Sequence, residues 1–163
     1  MHSITKLILL TIIISFTACK SPTHEMTEEE KDTVKEAVLT IHNNTVEMAK
    51  QADLEKTFEA ACNEYGAGYI NNGVMYNDIE SMKAFIKPSF DKIEKQEISF
   101  DDVRVSVVAQ NAALLTAHGN FIATLKDGSQ FGFPFAWTFV YVKLNDQWRV
   151  IHTHQSFEIT PSS

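Results

Sequence analysis

The sequence predicts an α+β domain in which N-terminal helices lie on one face of a strongly curved antiparallel sheet. Three observations predict it. Apolar residues recur at helical spacing through residues 27–51, and after residue 95 only strand-like alternation is readable. In residues 131–144, FGFPFAWTFVYVKL, an aromatic occupies every second position: Phe131, Phe133, Phe135, Trp137, Phe139 and Tyr141. A strand alternates faces with period 2, so these rings project from one side. Gly132, Pro134, Ala136, Thr138, Val140 and Val142 project from the other. Both faces are largely apolar, which predicts cover on both sides or a cavity wall. Helices first and strands afterwards is the order of an α+β domain.

The chain has 163 residues, enough for one domain with a real core. Its first segment stands apart. Lys6 precedes an uncharged apolar run from Leu7 to Phe16, too short to span a bilayer at about 20 residues but suited to a signal peptide. Phe16-Thr17-Ala18-Cys19 resembles the lipobox of bacterial lipoproteins, with Phe16 in place of the usual Leu. The resemblance implies a signal peptide over 1–18, a lipidated Cys19 with a polar tether over 19–26, and an exported, membrane-anchored protein, periplasmic or outer-membrane associated. An ordinary signal peptide or a short membrane anchor is the alternative. The formal net charge is −7, one unit lower still if Lys6 is removed, and no basic patch argues for nucleic acid. Once Cys19 is lipidated, Cys62 is the one thiol left, so no intramolecular disulfide is expected. Cys62 reads as a small buried hydrophobe.

The domain itself is expected over 27–158. Thr27-Glu28-Glu29-Glu30 matches a capping box and opens a helix over 27–51 with Val34, Val38, Ile41, Thr45 and Met48 on its apolar face. Asp53 caps a second, short helix holding Leu54, Phe58 and Ala61. Gly66, Gly68 and Gly73 break up residues 63–77 into two short strands around an Asn72-Gly73 turn. Asn77 with Glu80 caps a third helix carrying Ile79, Met82, Phe85 and Ile86, which Pro88 ends or kinks. Four antiparallel strands follow. Val103, Val105 and Val107 alternate with polar residues, and Asn111 turns the chain. Ala113, Leu115, Ala117, Gly119, Phe121 and Ala123 alternate with Leu114, Thr116, His118, Asn120, Ile122 and Thr124. Asp127-Gly128 and Asn145-Asp146 mark the last two hairpins.

The closing strand reads Trp148-Arg149-Val150-Ile151-His152-Thr153-His154-Gln155-Ser156. With the element order over roughly 28–158, this ending resembles the nuclear transport factor 2-like superfamily, whose members include ketosteroid isomerases, SnoaL-like polyketide cyclases and kinase association domains. The resemblance implies a cone, with a bent sheet wrapped around the helices and enclosing a pocket, and a homodimer formed through the sheets. It does not imply one function.

Three readings of the site follow. In the first, the domain binds a small, mostly apolar ligand through Phe133, Phe135, Trp137 and Phe139, with His118, His152 and His154 as polar partners. In the second, it is an isomerase, cyclase or dehydratase using His118, His154 and Tyr69 as acid–base groups. Asp78, Asp101 and Asp102 are the carboxylates considered for an isomerase-type site, and none falls mid-strand opposite the aromatic wall. In the third, it is a dimerisation module with a vestigial pocket. His152 and His154, two apart, are expected to share a face with Trp148, Val150 and Ser156. Metal ligation needs a further ligand, for which His118 is the candidate, and nothing in the spacing demands it. No metal or cofactor is expected: no nucleophile elbow, P-loop or dinucleotide fingerprint is present.

Overall fold

A computed structural model describes residues 25–158. The expected signal peptide, the lipidation candidate Cys19 and most of the expected tether lie outside the described residues.

Helix α1 runs over Glu28–Lys50 and starts with the expected capping box: Thr27 Oγ1 accepts from the Glu30 N–H at 3.2 Å, and Glu30 Oε2 accepts from the Thr27 N–H at 2.8 Å. Three acidic residues in the first turn oppose the positive end of the helix dipole. Its buried residues are Val34, Val38, His42 and Val46, each four apart. The predicted face is therefore rotated: Ile41, Thr45 and Met48 are half-buried flanks, and His42 lies on the central line. Helix α2 is a single turn, Leu54–Thr57, capped by Asp53.

Strands β1 (Tyr69–Asn71) and β2 (Val74–Tyr76) pair across Asn72-Gly73. Both turn residues have positive φ, +47° and +84°, as a two-residue hairpin of this kind requires. Helix α3 spans Ile79–Phe90. Its cap is Asp78 rather than Asn77, with Asp78 Oδ1 accepting from the Ser81 N–H at 2.7 Å. Pro88 sits inside the last turn, where it removes one backbone hydrogen bond, and the helix stops two residues later.

Four long strands complete the domain: β3 (Ile93–Ala109), β4 (Ala112–Leu125), β5 (Gln130–Leu144) and β6 (Gln147–Phe157). The six strands form one sheet in the order β2-β1-β6-β5-β4-β3. All neighbours are antiparallel except β1, which runs parallel to β6. The sheet is thus mixed, where a wholly antiparallel one was expected, because the helical segment between β2 and β3 returns the chain to the far edge. Three register shifts interrupt the β3–β4 ladder and one interrupts β5–β6. Such bulges bend strands and raise their twist, so the sheet curls around the helices without closing.

The concave face carries the core. Leu115 and Ala123 of β4, Phe135 and Tyr141 of β5, and Val38 of α1 are among its buried residues. The small-residue side of β5 is convex and is not covered by the described residues: Gly132, Pro134 and Ala136 are exposed, and Thr138, Val140 and Val142 are half-buried.

Candidate functional site

Between α1, α3 and the concave face lies a cavity of about 510 Å³. Phe131, Phe133, Trp137 and Phe139 of β5 form one wall. Phe121 of β4 and Phe157 of β6 extend it, with Phe133 stacked on Phe121 at 5.2 Å between centroids and edge-on to Phe157 at 5.0 Å. Phe85 of α3 and Phe131 mark the exposed rim, at 61% and 42% exposure. Phe135 faces the same way but lies outside the cavity lining, packed on Trp137 at 3.9 Å. Of the four aromatics expected to bind ligand, Phe133, Trp137 and Phe139 therefore line the cavity and Phe135 supports it.

The histidines are not brought to this wall. His118 on β4 pairs with Ala136, and His154 on β6 pairs with Thr138; both partners belong to the convex face of β5. Both imidazoles are exposed, and His118 Nδ1 lies 3.6 Å from Asp101. His152 pairs with Val140, also convex, and its Nδ1–H donates to the Gly68 carbonyl at 2.8 Å, tying β6 to the segment before β1.

The reason is a bulge. Tyr141 pairs with Val150, but Val140 pairs with His152, so Ile151 is an extra residue on β6. One inserted residue exchanges the two faces beyond it. Val150 still points inward; past the bulge Thr153, Gln155 and Phe157 point inward, and His152, His154 and Ser156 point outward. The expected sharing of one face by Val150 and the two histidines is thereby corrected. Asp78 caps α3, and Asp101 and Asp102 lie on the convex side, so none of these three carboxylates faces the aromatic wall. Among the described residues no three His, Cys, Asp or Glu side chains gather in a metal-binding cluster.

Tyr69 does reach the cavity lining, but its hydroxyl is committed. It donates to the Cys62 carbonyl at 2.6 Å, with the Val150 carbonyl at 3.3 Å. Burial is the largest influence on it and pushes its pKa up to about 12, so it stays a protonated strut between β1, β6 and the loop after α2.

The cavity's own polar groups are others. His42 hangs from α1 between Phe100 and Phe139, ring centroids 5.5 and 5.3 Å away. Its Nδ1 meets the Tyr141 hydroxyl at 3.4 Å. Burial lowers its pKa to about 4, so the imidazole is neutral at pH 7. Gln96 enters from β3, and Thr153 and Gln155 from β6. Among the described residues no Asp, Glu, Lys or Arg lines the cavity. Sequence reasoning missed these groups, although His42 carried a signal: Val34, Val38, His42 and Val46 form an unbroken i, i+4 row. Thr153 was hidden by the bulge.

The fold is matched by known proteins. A SnoaL-like domain model matches residues 38–160. Among solved structures, a nuclear transport factor 2-like superfamily protein from Salmonella enterica superposes with a TM-score of 0.68 at 18% identity, over 81% of this chain and 96% of that one. The association domain of CaMKII from C. elegans gives 0.63 at 15% identity, over 80% and 99%. A Novosphingobium aromaticivorans protein assigned as a scytalone dehydratase gives 0.68 at 9%, over 82% and 89%. A search of curated protein sequences returned no match. At these identities the structural likeness is one of fold, and the family match covers most of the described domain. The chain belongs to the SnoaL-like domain family, and its fold is the nuclear transport factor 2-like fold.

Proposed function

We propose that this domain binds a small, uncharged, mostly apolar molecule in the cavity under α1, and that lipidated Cys19 holds it at the membrane of an exporting bacterium. One observation carries the binding reading: a cavity of about 510 Å³ with an aromatic wall and, among the described residues, no charged side chain in its lining. Small-molecule sites are concave and mostly apolar, with a few placed polar groups. A charged ligand would enter without a counter-charge, at a cost of several kcal/mol. Solvent extraction of the protein purified from its native membrane, followed by mass spectrometry, tests this. A stoichiometric neutral compound is expected, absent from a Phe139→Asp variant. A cavity that takes up no apolar compound, co-purified or added, sinks the reading. For the anchor, mass spectrometry of the N-terminal peptide should show acyl chains on Cys19, and an unmodified peptide would remove it.

An isomerase, cyclase or dehydratase activity is the second reading. It has support in His42, a neutral imidazole at the cavity wall, and in the dehydratase assignment of one structural neighbour. The residues first considered for it, His118 and His154, are on the opposite face. Deuterium uptake by an added enolisable ketone, lost in His42→Asn, would establish it. A homodimer through the convex face completes the proposal, and a monomer by light scattering would remove that part.

A further inference from the structure

Beside the aromatic cavity lies a second concavity, a groove of about 590 Å³ between α1, the chain around α2 and the β5–β6 turn. It shares only Thr45 and Ala60 with the cavity lining. Ile41 and Met48, the flank of α1 beside its buried row, line it together with Trp148 of β6, and all three are half-buried.

One charge in this groove is partly withdrawn from water. Arg149 is half-buried, and a terminal nitrogen of its guanidinium donates to the Ala61 carbonyl at 3.2 Å. Among the described residues no carboxylate lies within 4 Å of it, whereas Arg104 is exposed and paired with Asp102. A guanidinium has five N–H donors, and the Ala61 carbonyl takes one of them. Drawing a cation out of water without a counter-charge is unfavourable, and the planar fork of an arginine matches a carboxylate with two parallel bonds.

The remaining charges narrow the class of anion. Lys56 is held by Asp53 at 3.2 Å, and Asp146 by Lys143 at 3.3 Å. Glu59 and Asp146 are exposed on the rim. Two rim carboxylates repel a dianion more than a monoanion, which disfavours a phosphate monoester. An ammonium ion meets Arg149. A small inorganic anion satisfies Arg149 and leaves Trp148, Ile41 and Met48 in water.

We infer that this groove is a second binding site, which takes a small organic monocarboxylate with its carboxylate on Arg149 and its apolar body against Trp148, Ile41 and Met48. The site is separate from the neutral cavity and does not rest on the reading of that cavity.

The test uses three matched probes on the purified full chain: 1-naphthylacetate, its neutral amide 1-naphthylacetamide, and protonated 1-naphthylmethylamine. Calorimetry should show the acid binding at least tenfold tighter than the amide, about 1.4 kcal/mol, with the amine weakest. Proton–nitrogen NMR should show the acid shifting the Arg149 Nε–H and the Trp148 indole N–H and leaving the Trp137 indole N–H of the cavity unmoved. Arg149→Gln, whose amide can still reach the Ala61 carbonyl, should cut the preference for the acid to under threefold. Glu59→Gln, an exposed change that leaves the fold alone, should tighten the acid two- to threefold by removing a like charge. Equal binding of acid and amide, tightest binding of the amine, or an acid preference that survives Arg149→Gln would each overturn the site. So would an acid that shifts Trp137 instead of Trp148, or no binding of the acid up to its solubility. Should Arg149→Gln fail to fold, the acid–amide comparison and Glu59→Gln decide on their own.

Discussion

The Nδ1 atom of His42, on α1, lies 3.4 Å from the hydroxyl of Tyr141, on β5, and both side chains are at most 1% exposed. The contact joins the helical layer to the sheet beside the part of the cavity that His42 lines. Burial acts on the two groups in opposite directions, lowering the imidazole pKa and raising the phenol pKa. Both are therefore neutral across the physiological range, and the pair holds its geometry without charge.

That pair makes stability depend on acid. The unfolded imidazole titrates at its ordinary value of 6.5, and the folded one at about 4. As pH falls below 6.5 the unfolded chain takes up a proton that the folded chain refuses. Stability is thus full above 6.5 and declines until the folded group titrates near 4, by about 3 kcal/mol in total. Denaturant melts at pH 7 and pH 4 should show this loss, and His42→Asn should lose less by a similar amount. Equal losses in the two proteins would mean that His42 is accessible to protons when folded.

The convex histidines should be dispensable for the cavity. A His118→Ala, His154→Ala double variant removes two exposed imidazoles, and such surface changes usually stay within about 0.5 kcal/mol. Uptake of an added apolar compound by the cavity should change less than twofold. A large drop would place a binding site on the convex face.

Gly119 should not tolerate a methyl group. A Cβ there would lie on the Ser99 carbonyl oxygen and 2.9 Å from Phe100 Cα, where β3 and β4 approach beside the Phe100–Asp102 register shift. Both obstacles are backbone, so relief requires moving a strand. Gly119→Ala should cost at least about 3 kcal/mol, or abolish soluble expression. A variant melting within 1–2 °C of the parent would show that the ladder can open there.

The capping box should be measurable alone. Thr27→Ala removes the acceptor for the Glu30 N–H and should destabilise the domain by about 1 kcal/mol. Thr27→Ser, which keeps an oxygen, should restore most of it; failure to do so would assign the loss to the Thr27 methyl group instead.

The fold was readable because its signals are local. The Thr27 cap, the Asn72-Gly73 and Asn145-Asp146 turns and the alternation from Ala113 to Tyr141 each follow from a few neighbouring residues, and each appears in the structure. The aromatic half of the site was readable for the same reason, since Phe133, Trp137 and Phe139 follow from period 2 alone. The polar half was not. Counting by twos from Val150 places His152 and His154 inside, and one extra residue at Ile151 reverses that assignment. Nothing local marks Ile151 as a bulge, because it is a good strand residue in a good strand sequence. His42 was passed over for a related reason: the apolar stripe of a helix is broad, and only contact with a curved sheet decides which line of it is central.

By itself the sequence determined the element order, the α+β class and the aromatic wall, all consequences of backbone periodicity and turn chemistry acting over short range. Tertiary structure alone decided that β1 runs parallel to β6, that the closing histidines face outward, and that His42, Gln96, Trp137 and Thr153 share one buried wall. These depend on register and bulges between strands distant in sequence. A shift of one residue there costs little locally and changes every side chain that the cavity receives.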